Sequence, residues 1–408
     1  MKISVKIALL FIMLLTCMCK RVDADDQQVE TILMEGAYLL NTKNQIENKD
    51  PQIIPAFDQL IKEAEKALDE GPFSVTDKET LPPSGDEHDY ASYSRYWWPD
   101  TTKSDGLPYI RRDGETNPES QSLKASDRQR IGALGLNTET LGLTYYFTGD
   151  KKYADKAAEL LRVWFLNPAT RMNPNVNHAQ CRPGHNTGTK SGVLDGRLLI
   201  RAMEGSLLIA NSSTLTDAET KGLRNWAEEY FEWLTTNEIA LDEAASKNNH
   251  GTFYDVQAIY FALFTGNYKV ATQIAEKFAD RRILTQIKPD GSMPEEIART
   301  RPLFYSIYNL HAMLLVAHLA QKVDVDVYKL NGEDSRLRVA IDYLAPYADS
   351  SKSWPDPTIR EADRMEMLAI LQMADHAYPY QNYLEKVEIL PFDDRNVQRT
   401  NLAFPIMR

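Results

Sequence analysis

The sequence predicts an all-α fold, an α/α toroid or barrel of helical hairpins built as a single domain. Apolar residues recur at helical spacing through most of the 408 residues, and no convincing run of alternating strand residues separates them. Glycine turns stand between the helical stretches, as in Thr265-Gly266-Asn267. Residues 147–159 and 264–276 repeat one pattern, from an aromatic helix end through a glycine turn into an amphipathic helix. Repeated hairpins indicate a solenoid or a closed toroid. We favour the toroid, because its loops can gather polar residues at one mouth.

Helical periodicity, followed along the chain in order, predicts helices at residues 28–41, 54–69, 126–147, 151–165, 193–210, 217–236, 253–264, 268–284, 303–322, 335–347 and 360–377. Three long polar stretches between them, 71–124, 167–192 and 241–252, are predicted loops. Loops of this length in a compact domain tend to be functional or disordered. These contain Trp, His, Arg and Asn side chains, a mixture that does not indicate disorder.

The first 24 residues have the features of a signal peptide. Lys2 and Lys6 form a basic start, an apolar run covers residues 7–19, and Val22-Asp23-Ala24 resembles a cleavage site. The apolar run is too short for a membrane span with normal flanks. We expect residues 1–24 to be removed and residues 25–408 to form the mature domain. The protein is then periplasmic, or a cell-surface lipoprotein if Cys17 is lipidated.

Composition excludes several partners. The formal net charge is −12, which does not suit nucleic acid, and no apolar run after the first is predicted to span a membrane. Of the three cysteines only Cys181 remains after cleavage, so no intramolecular disulfide is possible. No CxxC or HExxH spacing supports a metal site around His178 and His185. We therefore predict neither a metal nor a cofactor.

The strongest local signal is Asn248-Asn249-His250-Gly251, with Tyr254 shortly after it. Asn and Gly are typical of a helix start, so one interpretation makes Asn249 a cap and His250 a satisfied polar residue. The functional interpretation places an amide and an imidazole beside a cleft. Asn offers hydrogen-bond donors without bringing a negative charge, and His can remove a proton near neutral pH.

A second signal begins at Pro294-Glu295-Glu296 and continues through Arg299, Arg301, Tyr305 and Tyr308. The pattern is helical from residue 303 onward, so the two tyrosines lie on neighbouring faces of one helix. One interpretation is a helix with charged entry residues and core aromatics. The other is a set of cationic and phenolic groups that face a ligand.

A third signal is the tight loop at residues 178–186, where a proline and a glycine present Arg182, His185 and Asn186.

A fourth signal is the run Tyr96-Trp97-Trp98, which a proline follows. Its aromatic rings are either buried packing or a platform on which sugar rings stack.

Together these segments resemble the alginate-lyase superfamily of helical toroids. The Asn-Asn-His segment, followed later by an Arg and a Tyr about two turns apart, is similar to polysaccharide lyase family five. The Trp-Trp-Pro-Asp, Gln-Cys-Arg-Pro-Gly-His-Asn and Asn-Asn-His-Gly-Thr-Phe-Tyr-Asp stretches resemble family thirty-eight more closely. The resemblance covers residues 93–377. It implies a lyase that cleaves a 4-linked uronic-acid polymer by β-elimination. Alginate is the expected substrate, through mannuronate and guluronate linkages, and glucuronan is the alternative.

Elimination requires that the C6 carboxylate is neutralised, that a base takes the C5 proton and that an acid protonates O4. We assign Asn249 and Arg299 to the carboxylate. Tyr305 is the expected acid, with Tyr308 as a competing candidate because the Arg299 to Tyr305 spacing is one residue shorter than in family five. On mannuronate one tyrosine, partly ionised by nearby cations, could serve as both base and acid. On guluronate His250 would be the base.

The partner is then an anionic polysaccharide, and a cleft in an acidic protein can be locally basic. The resemblance carries His185 and Asn186 over as residues that complete the site. The full set expected to bind substrate is Arg182, His185, Asn186, Tyr96, Trp97, Trp98, Tyr254, Arg301 and Tyr308.

Two other classes of protein stay open at this point. An inverting glycoside hydrolase would need two carboxyl groups roughly 6.5–9.5 Å apart, and Asp195 and Asp255 are possible partners. A non-catalytic glycan-binding lipoprotein would explain the aromatic loop, but it gives no reason for gathering His, Arg, Asn and Tyr.

Overall fold

The computed structural model of the protein describes residues 28–329 and 335–407. The predicted signal peptide, residues 1–24, lies outside the described residues, so cleavage after Ala24 and lipidation at Cys17 stay predictions.

Helices dominate the described chain, in this order: α1 Gly36–Glu47, α2 Ile54–Leu68, α3 Arg128–Thr148, α4 Lys151–Leu161, α5 Leu198–Leu208, α6 Asp217–Thr236, α7 Glu238–Ala244, α8 Asn249–Phe264, α9 Tyr268–Phe278, α10 Leu284–Gln286, α11 Pro294–Ile297, α12 Pro302–Gln321, α13 Arg336–Leu344, α14 Met367–Ala377, α15 Tyr383–Val387 and α16 Phe392–Asn396. Two π-helical turns, Arg162–Leu166 and Ala279–Ile283, continue α4 and α9.

The helices form two layers, as an α/α toroid requires. Helices α3, α5, α8 and α12 bury residues around most of their circumference. Helices α2, α4, α6 and α9 are amphipathic and bury one face. The inner helices pack in sequence, α3 on α5, α5 on α8, α8 on α12 and α12 on α14, while outer helices cover them. The predicted all-α toroid is therefore confirmed.

The internal repeat is also real. Helices α3 and α8 each end in a turn whose glycine, Gly149 or Gly266, has a positive φ of 70° or 79°. That left-handed conformation favours glycine because a side chain would clash with the backbone. Helices α4 and α9 start directly after these turns and pack against α3 and α8. The same turn thus builds two hairpins of the toroid.

Short strands occur where the sequence predicted only loops. Strand β1 (Ala91–Tyr93) pairs in parallel with β4 (His178–Cys181), and β2 (Trp97–Trp98) pairs antiparallel with β3 (Ile110–Arg111). The β1–β4 pair joins the two longest predicted loops. It places the aromatic segment after β1 next to the arginine loop after β4.

Several predicted helix bounds are wrong. Residues 28–35 are not helical, because the buried Glu204 carboxylate accepts the backbone N–H groups of Ile32, Leu33 and Met34. The stretch predicted as loop 241–252 instead contains the end of α7 and the first turn of α8.

The start of α8 is set by a side-chain cap. The Asn248 side chain accepts the His250 backbone N–H at 3.2 Å, which begins the helix at Asn249 rather than at residue 253. All residues of α8 except His250 are buried. Helix α8 is therefore part of the core along its whole length, and His250 is its one residue that is not buried.

Helix α12 has the length and apolar composition of a membrane span, although no such run was expected after the first 24 residues. However, 89% of its most apolar window is buried inside the protein. Its apolar surface thus belongs to the core of the toroid.

Candidate active site

A cleft of about 650 Å³ opens at one mouth of the toroid. The first turn of α8 contributes Asn249 and His250, and the segment that enters α12 contributes Arg299 and Tyr305. These are the four predicted catalytic residues. Four of the predicted substrate-binding residues line the same cleft, namely Tyr96, Trp97, Arg182 and Tyr308.

The lining of the cleft is strongly cationic. Three carboxylates face it, Asp113, Glu243 and Glu295, against eight basic side chains, namely Arg95, Arg111, Arg128, Arg182, Lys190, Arg197, Lys247 and Arg299. A chain with a net charge of −12 thus presents a locally positive surface here. Such a surface attracts an anionic ligand.

Asn249 is held from behind by a buried carboxylate. Glu296 accepts the Asn249 backbone N–H at 2.6 Å, and its two oxygens lie 3.0 and 2.8 Å from Asn249 Nδ2. Burial raises the pKa of Glu296 to about 6, although the Asn249 hydrogen bonds and the nearby Arg299 charge oppose the shift. One interpretation of the sequence made Glu295 and Glu296 charged residues at the entry of a helix. Glu295 is exposed, but Glu296 is not.

His250 is paired with a second buried carboxylate. Its Nδ1 lies 2.5 Å from Glu243 Oε1, and the Glu243 side chain is 1% exposed. An ionised carboxylate only accepts, so Nδ1 donates to Glu243, and Nε2 is the ring nitrogen that this contact leaves unoccupied. Glu243 lies in α7, a helix that the sequence did not predict, and its contact with His250 was missed for that reason.

Arg299 is oriented by the long loop before α3. Its guanidinium donates to Asp113 with Nε at 3.3 Å and Nη2 at 2.9 Å, and Thr300 donates to the same carboxylate at 3.0 Å. Burial raises the pKa of Asp113, but the Arg299 hydrogen bonds and charge outweigh it and hold the pKa at about 2. Asp113 is therefore an anion at neutral pH.

The Tyr305 hydroxyl sits between a cation and a second phenol. Arg299 Nη2 donates to it at 3.0 Å, and the Tyr96 hydroxyl lies 2.9 Å away. Burial raises the pKa of Tyr305 well above its ordinary value, with Tyr96 adding to the shift and Arg299 opposing it. Tyr305 thus keeps its proton at neutral pH. This finding differs from the expectation of a partly ionised tyrosine, because burial outweighs the nearby cation.

Tyr308 occupies a different position in the same cleft. Its ring packs on Phe304 at 5.9 Å and on Phe253 at 4.4 Å. Burial raises the pKa of its hydroxyl, while the charges of Arg197 and Arg128 oppose the shift. The Arg299 contact therefore distinguishes Tyr305 from Tyr308.

The aromatic and arginine loops meet through Trp97. The Arg182 guanidinium lies 4.6 Å from the Trp97 ring centre, and the His185 ring approaches the same indole edge-on at 4.9 Å. His185 Nε2 also contacts the Tyr109 carbonyl at 2.8 Å, and the Asn186 side chain accepts the Arg182 backbone N–H. His185 and Asn186 therefore brace Trp97 and Arg182 from outside the cleft lining.

Three other predicted substrate-binding residues also lie outside the lining. The buried Tyr254 donates its hydroxyl to the Leu234 carbonyl at 3.0 Å. The Arg301 guanidinium lies over the Phe304 ring at 4.0 Å, and Trp98 Nε1 donates to the Glu115 carbonyl at 3.1 Å. These three side chains contact other protein groups instead of lining the cleft. Helical periodicity could not predict those contacts.

The carboxylates considered for a hydrolase are structural. Asp195 is fully buried and paired with Arg128, and Asp255 is fully buried and paired with Arg281 and Arg282. Neither faces the cleft as a free acid or base. Within residues 28–329 and 335–407, no group of three or more His, Cys, Asp or Glu side chains could hold a metal ion.

Comparison with known proteins identifies the family of the chain. The family model described as alginate lyase matches residues 74–354. An alginate lyase of known structure from Bacteroides ovatus is 37% identical, with a TM-score of 0.86, and the match covers 92% of this chain and 98% of that one. The chain therefore belongs to the alginate lyase family and is a polysaccharide lyase.

More distant structures share the fold. Alginate lyase A1-III from Sphingomonas species A1 is 16% identical with a TM-score of 0.54, and the match covers 84% of this chain and 90% of that one. A variant of alginate lyase A1-III complexed with a tetrasaccharide is 14% identical with a TM-score of 0.55, covering 94% and 99%. No curated protein matches the chain.

Proposed function

We propose that this protein cleaves alginate by β-elimination and leaves an unsaturated sugar at the new chain end. One observation carries the proposal: an amide, a guanidinium, a phenol and an imidazole line a single cationic cleft. These are the groups that elimination from a 4-linked uronate needs. The Bacteroides ovatus relative is an alginate lyase, which supports alginate as the substrate over glucuronan.

Charge on the C6 carboxylate is stabilised by Asn249 and Arg299. The carboxylate gains negative charge as the C5 proton leaves, so donors placed around it act mainly in the transition state. Arg299 is already fixed by Asp113, and a fixed donor needs little reorganisation when the charge develops. Its contact with Tyr305 keeps the carboxylate site and the leaving oxygen site adjacent.

Tyr305 is the acid that protonates the departing O4. Its raised pKa supports this role, since the acid must hold its proton until the C4–O4 bond breaks. On mannuronate, where the C5 proton and O4 lie on the same side of the ring, the one-tyrosine route requires Tyr305 to release its proton to solvent after substrate binds. The phenolate then takes the C5 proton and returns it to O4 as the C4–O4 bond breaks. Arg299 is the cation that would stabilise the resulting phenolate.

His250 is the base for guluronate, whose C5 proton lies on the face opposite O4. Glu243 holds Nδ1 and leaves the Nε2 lone pair to accept the proton. After transfer, the same carboxylate stabilises the imidazolium, as the carboxylate does in a catalytic triad. Trp97, Arg182, Tyr96 and Tyr308 then bind flanking sugars by ring contacts and charge.

The test is ultraviolet absorbance over time with polymannuronate, polyguluronate and glucuronan, each supplied separately. A rise on the first two, from the C4–C5 double bond conjugated to the carboxylate, is the expected result. Tyr305→Phe should lose roughly 10²- to 10⁴-fold in rate on both, because it removes the proton and keeps the ring. His250→Ala should harm guluronate cleavage more than mannuronate cleavage.

Two results would contradict the proposal. Near-full activity of Tyr305→Phe would remove Tyr305 from the reaction, and equal losses for His250→Ala on both polymers would remove the separate base for guluronate. A response to glucuronan alone would keep the elimination and change the substrate.

Export is a further part of the proposal. The basic start, apolar run and small-residue site within residues 1–24 support a periplasmic or cell-surface location.

A further inference from the structure

A fully buried carboxylate lies directly behind the amide that is proposed to meet the substrate. Glu296 has no exposed surface, and both its oxygens are within 3.0 Å of Asn249 Nδ2. The same carboxylate accepts the Asn249 backbone N–H at 2.6 Å. Burying the Glu296 carboxylate carries a desolvation cost. Its place behind Asn249, the amide that should stabilise the substrate carboxylate, therefore needs an explanation.

The contact dictates which end of the amide faces Glu296. An ionised carboxylate only accepts hydrogen bonds, so it must face the NH₂ group of Asn249 and not the carbonyl oxygen. The two oxygens of one carboxylate lie too close together to receive two diverging N–H bonds from one nitrogen. One N–H bond therefore serves both oxygens, and the second N–H bond of the same nitrogen is left for a ligand.

Capping alone does not explain the carboxylate. The Asn248 side chain already begins α8 by accepting the His250 backbone N–H. A neutral acceptor would satisfy the Asn249 backbone N–H at a smaller desolvation cost than a buried anion. A neutral amide at this position would both donate and accept hydrogen bonds. It would therefore also allow the flipped orientation of Asn249, in which the carbonyl oxygen faces residue 296. A carboxylate excludes that orientation.

We infer that Glu296 is a positioning residue that keeps the Asn249 amide oriented as a hydrogen-bond donor toward the C6 carboxylate of the bound uronate. The inference rests on the proposed function, in which Asn249 stabilises that carboxylate. Without the Glu296 constraint the amide can rotate and bring its carbonyl oxygen to the carboxylate. That orientation opposes the negative charge that grows in the transition state.

The neighbouring charges fit this arrangement. Arg299 carries the positive charge that favours the ionised form of Glu296, and Arg299, His250 and Asn249 all line the cleft. The amide therefore lies between the buried anion and the cationic cleft. Glu296 itself does not touch the substrate and acts through Asn249.

The test is a double-mutant cycle with Glu296→Gln and Asn249→Ala, using the initial rate of double-bond formation on polymannuronate. Gln keeps the acceptor for the Asn249 backbone N–H but adds a donor that favours the flipped amide. Glu296→Gln should lower kcat roughly 10- to 100-fold, as a misplaced catalytic group does, with a smaller change in KM. In the Asn249→Ala background the same substitution should cost nothing further.

Glu204→Gln is the matched control, since Glu204 is a buried carboxylate that accepts backbone N–H groups and does not line the cleft. It should lower thermal stability and leave kcat unchanged. Losses that multiply in the double mutant, or a Glu296→Gln variant with full kcat, would overturn the inference. In either case an active parent and an impaired Tyr305→Phe would leave the proposed function intact, whereas an inactive parent on every polyuronate would refute the proposed function itself.

Discussion

At the scale of single residues, the candidate site depends on partners that sequence motifs do not reveal. His250 and Asn249 stand out in the sequence because Asn-Asn-His-Gly is a recognisable local pattern. Glu243 and Glu296 do not, although each contacts one of them. Helical spacing could not reveal them, since Glu243 and His250 lie in different helices and Glu296 is 47 residues from Asn249. Only burial shows that these carboxylates are not solvated.

Glu296 also predicts a pH-dependent stability. Burial raises its pKa to about 6, above the ordinary value of 4.5. Between these pH values the folded protein holds a proton that the unfolded chain has released, so this group makes the free energy of unfolding fall as pH rises through the window. Above pH 6 the ionised carboxylate costs about 2 kcal/mol. Glu296→Gln does not titrate and should therefore gain about 2 kcal/mol relative to the parent between about pH 4 and pH 7.

Chemical denaturation of both proteins across this pH range measures the difference, and any constant effect of the substitution cancels. A difference that does not change with pH would show that Glu296 titrates normally. The expected gain in stability would accompany the loss of kcat, which is the usual relation between stability and activity at a functional site.

At the scale of elements, the site is assembled by two long loops that pair through short strands and by two helix starts. Strands β1 and β4 bring Trp97 and Arg182 into contact, and Asp113 ties the same long loop to Arg299 and Thr300. Each link joins segments that are far apart in sequence. The sequence predicted the lengths of the loops, but it could not predict which loops contact each other.

The Asp113 link gives a prediction for this element. Asp113→Asn removes the anion that holds Arg299, and a charged hydrogen bond of this kind is worth about 1.5–3 kcal/mol. We expect kcat/KM to fall at least tenfold and residues 95–115 to become more sensitive to limited proteolysis. Asp105→Asn is the control, because Asp105 is exposed in the same loop and accepts the Leu107 backbone N–H rather than a cleft residue. Equal effects of the two variants would argue against a specific tether.

At the scale of the whole molecule, charge is separated between the cleft and the rest of the surface. The chain carries −12 overall, while basic groups outnumber carboxylates around the cleft. The acidic remainder sets the net charge of the protein, and the local field of the cleft attracts a polyanion. Net charge alone would have indicated the wrong partner.

This separation predicts that salt weakens substrate binding more than it slows chemistry. Raising ionic strength shortens the range of the field, so KM for polymannuronate should rise while kcat changes little. Lys247→Gln, at the exposed edge of the cleft, should reduce the salt dependence of KM. Lys151→Gln, on the exposed surface of α4, should not. Initial rates at several salt concentrations give KM and kcat for the parent and both variants. A KM that is insensitive to salt would contradict the role of the cationic cleft.

The sequence by itself determined the helical class, most hairpins of the toroid and the glycine turns that join them. These features depend on periodicity and on the backbone preferences of neighbouring residues. The expectation that Asn249, His250, Arg299 and Tyr305 meet in one site came instead from the resemblance to the alginate-lyase superfamily.

The tertiary structure decided which side chains the cleft can use. It placed Tyr254 in the core, set His185 behind Trp97, and supplied Glu243 and Glu296 as buried partners. It also kept Tyr305 protonated, because the pKa of a side chain depends on burial and on charges brought from distant segments. Those quantities belong to the packed molecule, and no stretch of sequence contains them.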